Sequence, residues 1–523
     1  MPQSYTYPGV YVEELPSGVR TIAGVSTSDT AFVDFFKQGP VDDPVRITSF
    51  GDFERVFGGL DARSAASYAI QQYYLNGGSI AYVVRVAERN GAGVSVAAAA
   101  SLTPTGGALR IDASSPGTWA NSRIRVSLPS GAATGLFNLR LELLADISAG
   151  AAVVATENFL SLSMDQASAR YAPHVLAANS ALARVVHTDL TNVGVPTAVA
   201  AAPADRLASG TDGEAPGGSS WRTTAGAGAV QGAPGAKTGL FALEKIAPFV
   251  FNIMCLPGAA DLETADMEAV YKAALTFVEQ KRAFLLIDVP ENTAFSAMST
   301  YLADRGFAGK NAAIYFPRVR VPDALQGNTV REMASSGTIA GVYARTDAAR
   351  GVWKAPAGTD AIMRNASVAL KLNDDENGGL NQLGVNVLRS FPVYGDIVWG
   401  ARTIDGADQK ASEWKYVPVR RVTLFIEESL YQGLKWVVFE PNDEPLWSQI
   451  RLNVGSFMNG LFRQGAFQGK TAREAYFVKC DRETTTQNDI DRGIVNIVVG
   501  FAPLKPAEFV VLKIQQIAGQ LQV

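Results

Sequence analysis

His174 and His187, Cys255 and Cys480, and the acid Asp288 are the residues of this chain best suited to chemistry, but their spacing supports little of it. The histidines are the only two present, their spacing fits no helical or hairpin ligand pair, and no cysteine or carboxylate cluster completes a metal site. Both cysteines have apolar flanks, as buried small residues do, and two are too few for a disulfide framework. Gly232-Ala-Pro-Gly-Ala-Lys237-Thr resembles a phosphate-binding loop, but an alanine separates its second glycine from the lysine. It also follows a loop instead of a strand, so it reads as a flexible linker. Asn373-Asp-Asp-Glu-Asn-Gly378 resembles the start of a calcium loop, but its twelfth position is Gly384 where a bidentate glutamate belongs. A solvated turn is expected there. Asp288 ends an apolar strand, where α/β enzymes often place a carboxylate, yet no partner residue accompanies it. No Gly-x-Ser-x-Gly elbow occurs. The expectation is therefore no enzyme, no catalytic residue, no cofactor and no metal.

The totals describe a folded protein. Hydrophobic residues make up 47% and charged ones 18%, and 523 residues exceed what one core can organise. With 46 basic and 50 acidic residues the net charge is −4, which argues against a nucleic-acid partner. The opening Met-Pro-Gln-Ser-Tyr carries no signal-peptide pattern. No apolar run reaches the ~18 residues that span a bilayer, so no direct membrane insertion is expected. Synthesis in a reducing cytosol follows from the same reading.

The elements that must position any function are most telling at the two ends. Tyr5 to Glu14 and Ala507 to Gln516 both read as apolar strands with no partner in the chain. Open strands of this kind are an aggregation hazard unless another copy pairs with them. Residues 1–28 are read as an arm and linker, in which the Gly/Ser/Thr stretch Ser17–Thr30 could reach roughly 40 Å if extended. A β-α-β start occupies 29–90. Residues 91–239, rich in Ala, Gly, Ser and Thr, are read as an inserted β-rich surface domain ending in a flexible Ser209–Lys237 loop. Regular α/β alternation with continuous apolar strands fills 240–399, which predicts a parallel sheet covered on both faces. A last domain, 400–505, precedes the C-terminal arm, 506–523. The fold class is thus α/β with mixed α+β character, in several domains.

The last domain holds the clearest helix. Asn442 or Asp443 can cap it, and Trp447, Ile450, Val454, Phe457, Met458 and Leu461 recur along one face. Gln449, Asn453, Ser456 and Arg463 lie off that stripe. Beyond it, Gly493–Gly500 and Glu508–Gln516 look like the two halves of a hairpin, separated by Pro503 and Pro506.

Several segments, in order, resemble contractile tail sheath proteins. Gly9-Val-Tyr-Val-Glu-Glu14, Phe50-Gly-Asp-Phe-Glu-Arg-Val-Phe-Gly-Gly59 and Tyr73-Tyr-Leu-Asn-Gly-Gly78 match that family's opening. Ser336-Gly-Thr-Ile-Ala-Gly-Val-Tyr-Ala-Arg-Thr-Asp347 and Arg350-Gly-Val-Trp-Lys-Ala-Pro-Ala357 resemble its central signature. Asn381-Gln-Leu-Gly-Val-Asn386, Val398-Trp-Gly-Ala-Arg-Thr403, Arg420-Arg421 and Phe439-Glu-Pro-Asn442 complete the series, which leaves out only 91–239. The resemblance implies a structural subunit that stacks as hexameric rings around an inner tube and contracts to drive that tube through an envelope. It implies three kinds of partner: further copies of itself, the tube protein, and baseplate and terminator proteins. The particle would be a phage tail or tail-like device, assembled in the bacterial cytoplasm. Arms of such proteins pair beside a neighbour's hairpin. That gives Tyr7, Val10, Tyr11, Val12, Glu13, Phe509, Val511, Lys513 and Gln515 as arm positions, and Ile494, Asn496 and Val498 as a receiving strand. Gln449, Asn453, Ser456, Arg463, Lys470 and Arg473 are the tube-facing candidates. Two other readings are a hydrolase centred on Asp288 and a different self-assembling shell or filament protein.

Overall fold

A computed structural model describes residues 20–218, 220–246 and 251–513. Arm positions Tyr7, Val10, Tyr11, Val12, Glu13 and Gln515 lie outside the described residues. The chain separates into two compact units, one of Ser26–Arg421 and one joining the N-terminal residues up to Val25 with Val422 onward. The division between these compact units falls after Arg421.

The larger unit is built on an eight-stranded sheet. Its six central strands are, in spatial order, Val385–Phe391, Ala312–Phe316, Phe284–Ile287, Ile253–Cys255, Thr30–Phe35 and Ala81–Val86, all parallel. Gly395–Val398 and Val45–Ile47 close the two edges antiparallel. Thr30–Phe35 and Phe284–Ile287 are buried along their whole length, as strands covered on both faces must be. Helices Ala65–Asn76, Thr264–Gln280, Phe295–Arg305 and Ser336–Arg350 make the crossovers and cover the sheet.

Two of these helices meet at backbone distance. A Cβ added to Gly337 would stand 2.2 Å from the Ala69 carbonyl oxygen, and one added to Gly341 2.6 Å from that of Tyr73. The Gly-x-x-x-Gly spacing inside Ser336–Arg350 thus lets it press against Ala65–Asn76. The second helix ends at Gly77 with φ 116°, a left-handed cap that glycine adopts without steric cost.

Two three-stranded antiparallel sheets lie between residues 101 and 187. They share a core that includes Leu109, Ile111, Ile124, Leu139, Leu141, Leu162, Leu176 and Leu207. The loop expected over Ser209–Lys237 is a correction. Trp221, Ala227, Ala229 and Val230 are buried in the core of the eight-stranded sheet, with the Trp221 ring edge-on to Phe35 at 5.8 Å. Small residues gave this stretch a linker's composition, yet they let it fit closely against the sheet. The inserted region therefore ends before Trp221, short of 239.

Candidate inter-subunit interface

In the smaller unit, Asp443 caps the helix Glu444–Arg463 by accepting the Leu446 N–H at 3.2 Å, with Pro445 in the first turn. Trp447, Ile450, Val454, Met458 and Leu461 are buried along one face, and Gln449, Ser456 and Arg463 are exposed. Lys470 and Arg473 are exposed just beyond. Asn453 is a correction: it is buried, and its Oδ1 accepts the backbone N–H of Arg20 at 3.0 Å. It tethers the N-terminal segment and presents nothing to a tube.

That tether is part of a longer strap. Arg20 lies over the Trp436 ring at 4.5 Å, Ile22 is buried against Gly433, and Gly24 sits under the Phe425 ring. The Val25 N–H donates to Ser429 Oγ at 3.2 Å. Residues 20–25 were expected to be slack linker; instead they are docked. Nothing nearby in sequence signals this, because their partners lie some 400 positions away.

A two-stranded antiparallel sheet, Tyr476–Lys479 with Val498–Phe501, forms beside the helix, whose Gly455 carbonyl accepts the Tyr476 hydroxyl at 3.3 Å. Neither strand has another strand partner among the described residues, and Phe477 and Val498 are half exposed. Two strands alone are marginal in water. The expected hairpin between 493–500 and 508–516 is not formed within the described residues. Val498 opens the observed strand, but Ile494 and Asn496 precede it: the Ile494 carbonyl accepts from Asn442 Nδ2 at 3.0 Å, and the Asn496 N–H donates to Thr485 Oγ1. Phe509, Val510, Val511 and Leu512 are 74–82% exposed and, like the exposed Lys513, belong to no strand.

The residues with potential for chemistry fall into structural roles. Asp288 is buried, which pushes its carboxyl up to about 6, and its Oδ1 accepts the Ser336 N–H at 2.8 Å at the start of helix Ser336–Arg350. A cleft of about 430 Å³ nearby is lined by Val289, Phe295, Phe316, Arg318, Glu332 and Leu370, among others, but not by Asp288. Asp34, raised by burial to about 7, does the same for helix Ala65–Asn76, accepting from Ala66 N–H at 3.1 Å. It stands between Thr30–Phe35 and Ile253–Cys255, where the strand order reverses and an open α/β sheet would hold a ligand. There Gly258 has no room for a Cβ beside the Asp34 carboxylate. Burial also pushes the Cys480 thiol up to about 11, which disfavours its thiolate form. His187 Nδ1 meets the Tyr171 hydroxyl at 2.9 Å, and His174 packs edge-on to the same ring.

The segments singled out in the sequence lock to one another. Arg421 forks onto Asp347 at 2.6 and 2.9 Å, the two side chains each 3% exposed, with its guanidinium over Tyr343 and a bond to the Thr27 carbonyl. Asn386 donates to the Arg402 and Ile314 carbonyls and accepts the Arg402 N–H. These contacts tie distant parts of the sequence to one another.

Comparison with known proteins agrees with this geometry. The family model of the phage tail sheath protein central domain matches residues 232–404, and that of the phage tail sheath C-terminal domain matches 409–517. A prophage major tail sheath protein of Pseudomonas aeruginosa (strain UCBPP-PA14) is 26% identical over 244 residues, 46% of this chain and 60% of that protein. The tail sheath protein of Enterobacteria phage T4 is 24% identical over 176 residues, 33% of this chain and 25% of its own. The chain thus spans between a quarter and three-fifths of the length of these relatives. In fold it is similar to the sheath of the PVC extracellular contractile injection system in its contracted state, with a TM-score of 0.57 at 21% identity over 98% of this chain and 99% of that one. Two sheath-domain matches that together span more than half of the sequence, on a fold shared with sheath subunits, establish that the chain belongs to the phage tail sheath protein family, a structural family.

Proposed function

We propose that this chain is the subunit of a contractile sheath, polymerised as stacked hexameric rings around an inner tube and linked through exchanged terminal strands. The observation that carries this reading is the two-stranded sheet with both outer edges unpaired among the described residues, together with an apolar, exposed 509–512 segment that needs a sheet to join. Strand addition from neighbouring copies would satisfy both. On this reading Tyr7 to Glu13 and Phe509 to Gln515 are the donated strands, and the stretch from Ile494 through Asn496 to Val498 leads into the receiving edge. Gln449, Ser456, Arg463, Lys470 and Arg473 would meet the tube through polar contacts that break without leaving apolar surface bare. Baseplate and terminator proteins would bound the polymer, in a phage tail or tail-like particle.

Contraction would be driven by burial between subunits. About 200 Å² of extra apolar area per subunit would release about 5 kcal/mol, with no nucleotide required. Negative-stain microscopy of the purified protein tests the reading. Striated cylinders that shorten and widen are expected, and a monomer that forms no polymer under any condition would reject it. Deleting residues 1–16 should abolish ordered sheaths; normal assembly and contraction of that variant would reject the role of the arm.

A further inference from the structure

Phe439 is the most exposed large apolar side chain described, at 103% of its free-residue area, and its φ is 70°. A bulky side chain rarely takes that left-handed conformation. The turn around it is nevertheless firmly held. Glu440 N–H donates to the Val437 carbonyl and Asp443 N–H to that of Pro441. Asn442 accepts from Trp447 Nε1 at 2.9 Å and donates to the Ile494 carbonyl at 3.0 Å. Val438, 63% exposed, stands beside it. A strained conformation that the surroundings over-determine is typical of functional positions. The subunit alone gains nothing from placing Phe439 in water.

Asn442 ties this turn to the residues that lead into Val498–Phe501, the strand with an open edge. The segment that needs an edge, Phe509-Val-Val-Leu512, is apolar at successive positions. As a strand it would therefore present apolar side chains on both faces. The helix Glu444–Arg463 lies against the two-stranded sheet at Tyr476, which provides cover for one face. The second face of an added strand needs another apolar cover. We propose that Val438 and Phe439 supply it, docking on the Phe509–Leu512 segment of a second copy of this chain. This rests on the strand-exchange reading above. A permanent contact between copies suits a fully apolar anchor, whereas a contact to the tube must break during contraction.

The test uses the full chain. A photo-crosslinking amino acid at position 439, in assembled sheaths, should capture a peptide from 505–513 of another copy; capture of the tube protein, or of no protein, overturns the inference. Phe439→Gly suits the positive φ, so the subunit should melt at or above the wild-type temperature. Assembly should nevertheless need at least about tenfold more protein, because one large apolar contact per junction is gone. Wild-type assembly by that variant overturns the inference as well. If wild-type protein forms no sheath at all, the broader reading fails first. If sheaths form but 439 maps elsewhere, only the docking of Phe439 fails.

Discussion

Asp34 and Asp288 are carboxylic acids held in the interior at the starts of two helices that pack on each other. Burial raises both above the usual 3.8, to about 7 and about 6. For an acid whose folded pKa is raised, the favourable contribution is complete below pH 3.8 and is lost as pH climbs through the folded value. These two groups therefore make the subunit more stable at pH 5 than at pH 8. Asp34→Asn, which imitates the protonated acid, should flatten that dependence: the melting temperature should rise relative to wild type at pH 8 and by clearly less at pH 5. An unchanged slope across pH 5–8, followed by calorimetry, would contradict the assignment. Sequence favours a structural role for Asp288 at its strand end but does not show what either acid holds. Asp288 at a strand end has an enzyme's address, and only enclosure and the Ser336 amide reveal a helix cap.

Among the elements, the contact between Ala65–Asn76 and Ser336–Arg350 depends most on sequence detail. Gly337→Val would drive a branched side chain into the Ala69 carbonyl. A loss of about 3 kcal/mol or more is expected, measured by urea unfolding of the subunit. Gly228, open on every side, should accept alanine at little cost. Some elements were plain in the sequence because a cap and a period agreed: Glu444–Arg463 begins at its Asp443 cap, and Ala312–Phe316 is bounded as its apolar run predicts. The misreadings share a cause. Trp221 lies in a Gly/Ala-rich stretch whose burial depends on a distant sheet, and Asn453 turns inward because Arg20 needs an acceptor. Within the described residues Val498–Phe501 pairs with Tyr476–Lys479, a partner the sequence does not signal because the run Tyr-Phe-Val-Lys is only four residues long. Local pattern carries no information about such long-range partners.

At the scale of the whole molecule, the docked 20–25 segment would limit how far the N-terminal strand of the proposed exchange could stray. With those residues fixed, only positions 14–19 separate the proposed arm from the docked segment, about 20 Å of fully extended chain. A Cβ on Gly433 would lie 3.1 Å from that of Ile22, near the 3.5–4.5 Å that disulfides bridge. The pair Ile22→Cys and Gly433→Cys should therefore crosslink on oxidation, and the crosslinked protein should still assemble and contract, as judged by microscopy before and after reduction. Contraction only after reduction would mean that the segment peels away during the event. If it stays seated, the connection between neighbours is a leash of fixed length, with no chain to pay out. In the proposed sheath each subunit would then swing about its anchored root, and the geometry of that pivot, more than the elasticity of the linker, would set the stroke.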